Sequence, residues 1–446
     1  MDREIVEQEE NIVVSMEQWK GKKKRIRIYR YCICGLILCA ALVLCGMGYS
    51  YLDHRLPKVL WVRAGESQTL DLGLPMTGEV VAVSDGGKSN IPRDAITIDL
   101  GEAITLDMEE SSNYRMNVKL FGWIPFKQVD IQVIGDMELT PAGMPVGLYV
   151  ETDGLLVIGV GEFVGMDGIT YSPSKYILKS GDYILECNGK EVSDKNTFIK
   201  DIERCGGKEV VLKISRNGEI QEVAIKPMTN SAGKYKIGIW VRDNAQGVGT
   251  LTYIDASGRF GALGHGVTDV DTSTLMDVEA GTLYRTEIIS IQRGEAGTPG
   301  EMTGMIVYNE NYILGEIDYN GEEGIFGKCN GQALSMCTQK PLPVGLKQEI
   351  KKGQAYIYCT VKENEPRYYA VEITNIQLDH DNVNRGIELT VTDPELLTLT
   401  GGIVQGMSGS PILQNGKLVG AVTHVMVDDP TRGYGIFIGN MLDKAG

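Results

Sequence analysis

After about residue 53, apolar and polar residues alternate at every second position in short runs, broken repeatedly by Gly, Pro, Asn and Asp. That period belongs to half-buried β-strands rather than to helices. The stretches "KVLWVRAG", "GEVVAVSDGG", "AITIDLGEAITLDM" and "YRMNVKLFGWIPFKQVDIQVIG" predict a small β domain of sandwich or barrel type over 53–140. Nothing chemical stands out there, and it reads as a spacer or packing module. Over 141–228 the pattern is mixed. Strand-like "GLYVETDGLLVIGVGEF" comes first, and "DKNTFIKDIERCGG" then carries helical spacing. "KEVVLKISRNGEIQEVAIKP" predicts a hairpin around Asn217-Gly218. From 235 to 446 the chain returns to short, Gly-rich strands, about enough for a pair of β-barrels or one large one. The whole is mainly β.

One segment breaks the pattern. "YCICGLILCAALVLCGMGYSYL", residues 31–52, contains no charge over 22 residues. As a helix it spans a hydrocarbon core of roughly 30 Å. Residues 1–30 hold eight basic and six acidic side chains, with Lys20, Lys22, Lys23, Lys24, Arg25, Arg27 and Arg30 clustered just before the apolar run. This basic tail is expected to stay cytoplasmic, which sends the body across the membrane. A cleaved signal peptide is the competing reading, but its apolar region is usually shorter, about 7–15 residues.

Charge removes one class of partner. The formal net charge is −16 and the first 30 residues contribute +2, so the remainder carries −18. Such a body repels phosphate backbones, and no nucleic-acid partner is expected. Cysteine adds little. Four of the nine lie in the apolar span, and Cys187, Cys205, Cys329, Cys337 and Cys359 show no CxxC spacing. Neither a zinc site nor a disulfide framework follows, no HExxH occurs, and no cofactor is expected.

Within the mixed block, Gly181, Asp182, Ile184, Leu185, Asn188 and Gly189 fill the pattern GD-x-I-L-x-x-N-G, with Lys179 and Ser180 before it. The block resembles PDZ domains, α+β modules that bind extended peptides by strand addition. On that resemblance, Gly147, Leu148 and Tyr149 in "VGLYV" would offer the peptide-binding amides.

The chemistry concentrates in "GGIVQGMSGSPILQNGKLVGAVTHV", residues 401–425, where small residues crowd around two serines between apolar stretches. A serine nucleophile needs a base, most often imidazole, and the chain has four histidines. His54 abuts the membrane. His265 stands between Gly264 and Gly266 in "FGALGHGVTD", His424 follows the serine segment on an alternating strand, and His380 lies in a polar loop. The residues alone favour His265, then His424, then His380. For the acid that would orient the imidazole, Asp269 and Asp271 are near His265 in sequence. Asp393, in "VTDPELL", fits equally a helix cap before Pro394.

Gly406-Met407-Ser408-Gly409-Ser410-Pro411 resembles the G-x-S-G-x-P turn of chymotrypsin-like serine peptidases. That resemblance implies a double β-barrel with Ser408 as nucleophile and the amides of Gly406 and Ser408 as the oxyanion hole; Ser410 takes a non-catalytic position. With "TDPELLTLTGG" and "DPTRGYGIF" added, the region from 140 to 446 resembles the SpoIVB peptidases of endospore-forming bacteria. The resemblance places His265 as base and Asp393 as supporting acid. It implies a membrane-anchored endopeptidase in the space between mother cell and forespore that processes itself. Its implied partner is the regulatory subunit of an intramembrane protease complex, whose cleavage leads to sigma-factor maturation. The opposing reading is a non-enzymatic, anchored PDZ adaptor in which the Gly/Ser turn only closes a barrel.

Overall fold

The computed structural model describes residues 2–65, 68–70, 72–83, 96–106, 113–379 and 382–445; the side chains of 2–28 are not described. His380 and the side chains of most of the basic tail therefore lie outside the described residues. The chain is mainly β.

A helix, Asp2–Arg55, opens the chain, and its stretch Tyr29–Arg55 is long and apolar enough to cross a membrane, with no residue of its most apolar window buried. It runs into a five-stranded sheet, in the order Val59–Arg63, Ile124–Ile134, Asn113–Leu120, Met76–Val83, Ile96–Asp99. Alternation decides its two faces: Leu60, Val62, Met116, Val118, Val129 and Ile131 point into one core. This domain docks through charge as well as packing. Arg63 meets Glu349 at 2.6 Å, Glu349 also holds Lys417 at 3.0 Å, and Lys127 bridges Asp53 and Asp379.

Two six-stranded barrels follow. In the first, Pro145–Val160, Val278–Gln292, Ile313–Gly321, Gly324–Cys329, Arg259–Ala262 and Ile239–Ile254 pair in a closed ring. The second closes through Gly353–Lys362, Glu365–Ile376, Ile387–Val391, Asp429–Phe437, Lys417–Met426 and Pro411–Gln414. Each barrel has its own core, built from Val146, Leu148, Val150 and Phe260 in one and Ile357, Val371, Leu389 and Ile412 in the other.

The PDZ-like unit is an insertion in the first barrel. Residues 155–160 continue the barrel strand into a second sheet with Tyr183–Cys187, Val210–Arg216 and Glu219–Ile225. The helix Lys195–Arg204, capped by Asp194, lays Phe198 and Ile202 onto that sheet. Asn217 and Gly218 adopt positive φ and form the hairpin turn that their sequence predicts. The chain then re-enters the first barrel along Ile239–Ile254.

This topology corrects two readings. Gly147, Leu148 and Tyr149 are not on a peptide-binding loop. Gly147 pairs with Val248 and Tyr284, Leu148 with Gly247 and Leu283, and Tyr149 with Gln246 and Thr282. Neighbours on both sides leave no edge for an added peptide strand. For the same reason the barrel does not begin at 235, because its strand 145–150 lies upstream of the insertion.

Candidate active site

His265 and Ser408 come from different barrels and line one cleft of about 870 Å³. His265 follows the strand Arg259–Ala262 on a turn in which Leu263 and Gly264 both take positive φ, 68° and 69°. A side chain at Gly264 would be strained by that backbone and pressed against Ile436 and Thr423. The imidazole Nδ1 lies 2.9 Å from the Gly266 carbonyl oxygen. A carbonyl only accepts, so this contact keeps the proton on Nδ1 and leaves Nε2 with a free lone pair. Burial pushes the imidazole below its ordinary pKa, with the Gly266 carbonyl acting in the opposite direction.

Ser408 stands between the helix Pro394–Thr400 and the strand Pro411–Gln414. Its turn is built by backbone contacts. Met407 N donates to Val404, Gly409 N to Val422 and Ser410 N to Met407. The Gln405 carbonyl accepts from Met302 N and the Met407 carbonyl from Ser410, so the next amides, Gly406 N and Ser408 N, point the other way. Among the described residues neither of those two amides has a protein acceptor. Gly409 is required by close approach, since a Cβ there would sit 2.1 Å from the Thr250 carbonyl oxygen. Ser410 is buried and donates to Met407 O, which makes it part of the turn's frame.

Thr250, a residue without a signal in the sequence, spans the two barrels. Its hydroxyl donates to Gly406 O at 2.8 Å and its amide to Ser408 O at 3.0 Å. The Ser408 hydroxyl donates to Thr423 O at 2.6 Å. Beside Thr423, the exposed His424 lines the cleft, its ring centroid 5.0 Å from that of His265. Desolvation, the facing His265 and the Arg385 guanidinium push His424 down to about 4, so it is neutral near pH 7.

No carboxylate among the three candidates pairs with the His265 ring. Asp393 caps the helix Pro394–Thr400, accepting from Glu395 N and Leu396 N, and also takes the Ala370 amide. Asp269 is buried against Arg242 at 2.5 Å and caps its own loop through the amides of Asp271 and Thr272. Asp271 holds the other arm of Arg242. The Gly266 carbonyl occupies the place that the sequence reading gave to Asp393. His54 is remote, its Nδ1 on the Asp379 carbonyl.

Residues 233–442 match the model of the SpoIVB peptidase S55 family. That stretch is similar to the SpoIVB serine peptidases. Solved structures similar to this chain include an HtrA-type protease, AlgW, crystallised with a decapeptide: 9% identity, 68% of this chain, 63% of that one, TM-score 0.28. The active form of the Rv3671c protease of M. tuberculosis gives 16% identity over 45% of this chain and 75% of its own, TM-score 0.25. The PDZ domain of the SdrC-like protein of Listeria monocytogenes is 25% identical over 20% of this chain and 87% of its own, TM-score 0.17. The Lactococcus lactis protein LL2128, named among zinc metalloproteases, is 36% identical over 62 residues. The match spans only 14% of that relative's length. This chain has no HExxH, and among the described residues no group of three ligating side chains could hold a metal ion.

Proposed function

We propose that this chain is a single-pass, membrane-anchored serine endopeptidase that works by a Ser408–His265 pair. The Ser408 hydroxyl turns from Thr423 O to His265 Nε2, which takes its proton as Oγ attacks the substrate carbonyl carbon. The amides of Gly406 and Ser408 receive the oxyanion, and the protonated imidazole then gives its proton to the departing amine. Water, deprotonated by the same nitrogen, releases the acyl group. The observation that carries this reading is the pair of unengaged amides on either side of Met407, on a turn whose serine shares a cleft with His265. Gly266 O, rather than Asp393, fixes the imidazole tautomer in this scheme.

The finer biology follows from the family. The substrates are membrane-associated proteins facing the body of the enzyme, including its own N-terminal region and the regulator of an intramembrane protease in sporulation signalling. In this reading the enzyme lies between mother cell and forespore, with its basic tail cytoplasmic. A fluorophosphonate probe tests the chemistry. Wild-type protein is labelled at Ser408 and Ser408→Ala is not, while Ser410→Ala keeps labelling. A folded wild-type protein that stays unlabelled would leave only the adaptor reading.

A further inference from the structure

The hairpin between Asn113–Leu120 and Ile124–Ile134 carries its apolar residues outward. Leu120 to Phe126, "LFGWIPF", contains no charge and holds two of the chain's seven Phe and one of its four Trp. At the tip Phe121 is 66% exposed, Trp123 74% and Ile124 37%. The tip is nonetheless held in shape. Phe121 and Gly122 take positive φ, Phe121 N donates to Pro75 O, and Trp123 N donates to Leu120 O.

Its position relative to the anchor gives the exposure a meaning. Lys127 Nζ donates to the carbonyls of Asp53 and Leu56, at the end of the apolar helix. One residue closer to the tip, the Phe126 ring meets Tyr49 at 5.0 Å between centroids. The strand thus runs back along the helix toward its apolar stretch, and one residue moves the contact by four helix positions, about 6 Å. Trp123 lies three residues beyond Phe126, about 10 Å further at strand spacing. Tyr49 and Tyr51 are exposed on the same end of the helix, where an interfacial aromatic belt belongs.

We infer that residues 121–124 dip into the headgroup region of the bilayer that holds the anchor, on the side of the peptidase body. This rests on the membrane-anchor reading above. The bilayer is the occupant because the helix itself fixes where lipid lies, and the hairpin reaches that level. The small β domain is then a second membrane contact that sets the height and tilt of the cleft, rather than a passive spacer.

The test uses the full chain in vesicles of phosphatidylcholine and phosphatidylglycerol, with and without acyl-brominated lipid. Tryptophan emission is recorded for wild type and Trp123→Phe, whose difference spectrum reports Trp123. The expected result is a blue-shifted difference spectrum that brominated lipid reduces roughly two-fold, as for an interfacial indole. Protein that floats with the vesicles but gives a red-shifted, unquenched difference spectrum would overturn the hairpin contact and leave the anchor intact. Protein that does not float with the vesicles would overturn the anchor, and the hairpin contact with it.

Discussion

A fragment of residues 235–446 contains His265 and Ser408 but lacks the strand residues 145–150 of the first barrel. Val146, Leu148 and Val150 are almost fully buried in that core, and burying each contributes about 1.5–3 kcal/mol. The three together are worth about 5–9 kcal/mol, against a typical domain stability of about 5–15 kcal/mol. Their loss also opens two edges, along Ile239–Ile254 and Val278–Gln292. The fragment is therefore expected to show no cooperative guanidinium transition by circular dichroism and no turnover of a short peptide. The matching control keeps the strand and removes the insertion. Glu151 and Asn244 are opposite each other in register, so a short Gly-containing turn between them closes an ordinary hairpin. A chain of 138–151, that turn and 244–446, carrying Asp269→Asn because its partner Arg242 leaves with the insertion, is expected to fold and to hydrolyse short peptides. Cooperative unfolding and full turnover by 235–446 alone would refute the argument that the barrel needs its upstream strand.

Four further outcomes are expected. Asp393→Ala costs about 1 kcal/mol through its lost helix cap while Asp393→Asn is nearly neutral, and both keep kcat/KM within about ten-fold of wild type; a loss of several orders of magnitude in a folded Asp393→Asn would put that carboxylate on His265. Because burial lowers the His265 pKa, kcat/KM should hold its neutral-pH value to below pH ~6.5 before falling. His265 and His424 are both held neutral in the fold while the unfolded chain protonates near pH ~6.5, so stability falls as pH drops from there toward about 4, as melting temperatures across that range would show. Near Ser408 the cleft is lined by Ile403, Val404, Val425 and Val427, with Ile403 filling the space over Gly433. Peptides with a small apolar residue before the scissile bond should exceed those with Lys or Phe by about ten-fold or more, and Ile403→Ala should narrow the gap for Phe.

The strands, the apolar span, the helix at 195–204 and the Asn217-Gly218 turn were legible because each depends on a local pattern. Partners were not. Alternation in "PVGLYVETDGLLVIGV" announces a strand, but nothing in it says that its first half pairs with residues 100 positions away while its second half enters another sheet. The same gap affected the acid. "VTDPELL" is a cap sequence and a family position at once, and only the fold reveals which amides its carboxylate meets. Thr250 was invisible for a different reason: its role is a contact across barrels, made by a residue type common in any strand.

That contact has a bearing on when the enzyme can cut. The turn bearing Ser408 emerges late in synthesis, and its shape is completed by a threonine from the other barrel, which closes only after the insertion has been looped out and Ile239–Ile254 has returned to its partner. A chain still short of its last few strands carries the threonine but not yet the serine that it frames. The ability to cut is thereby reached only when nearly all of the chain has been made.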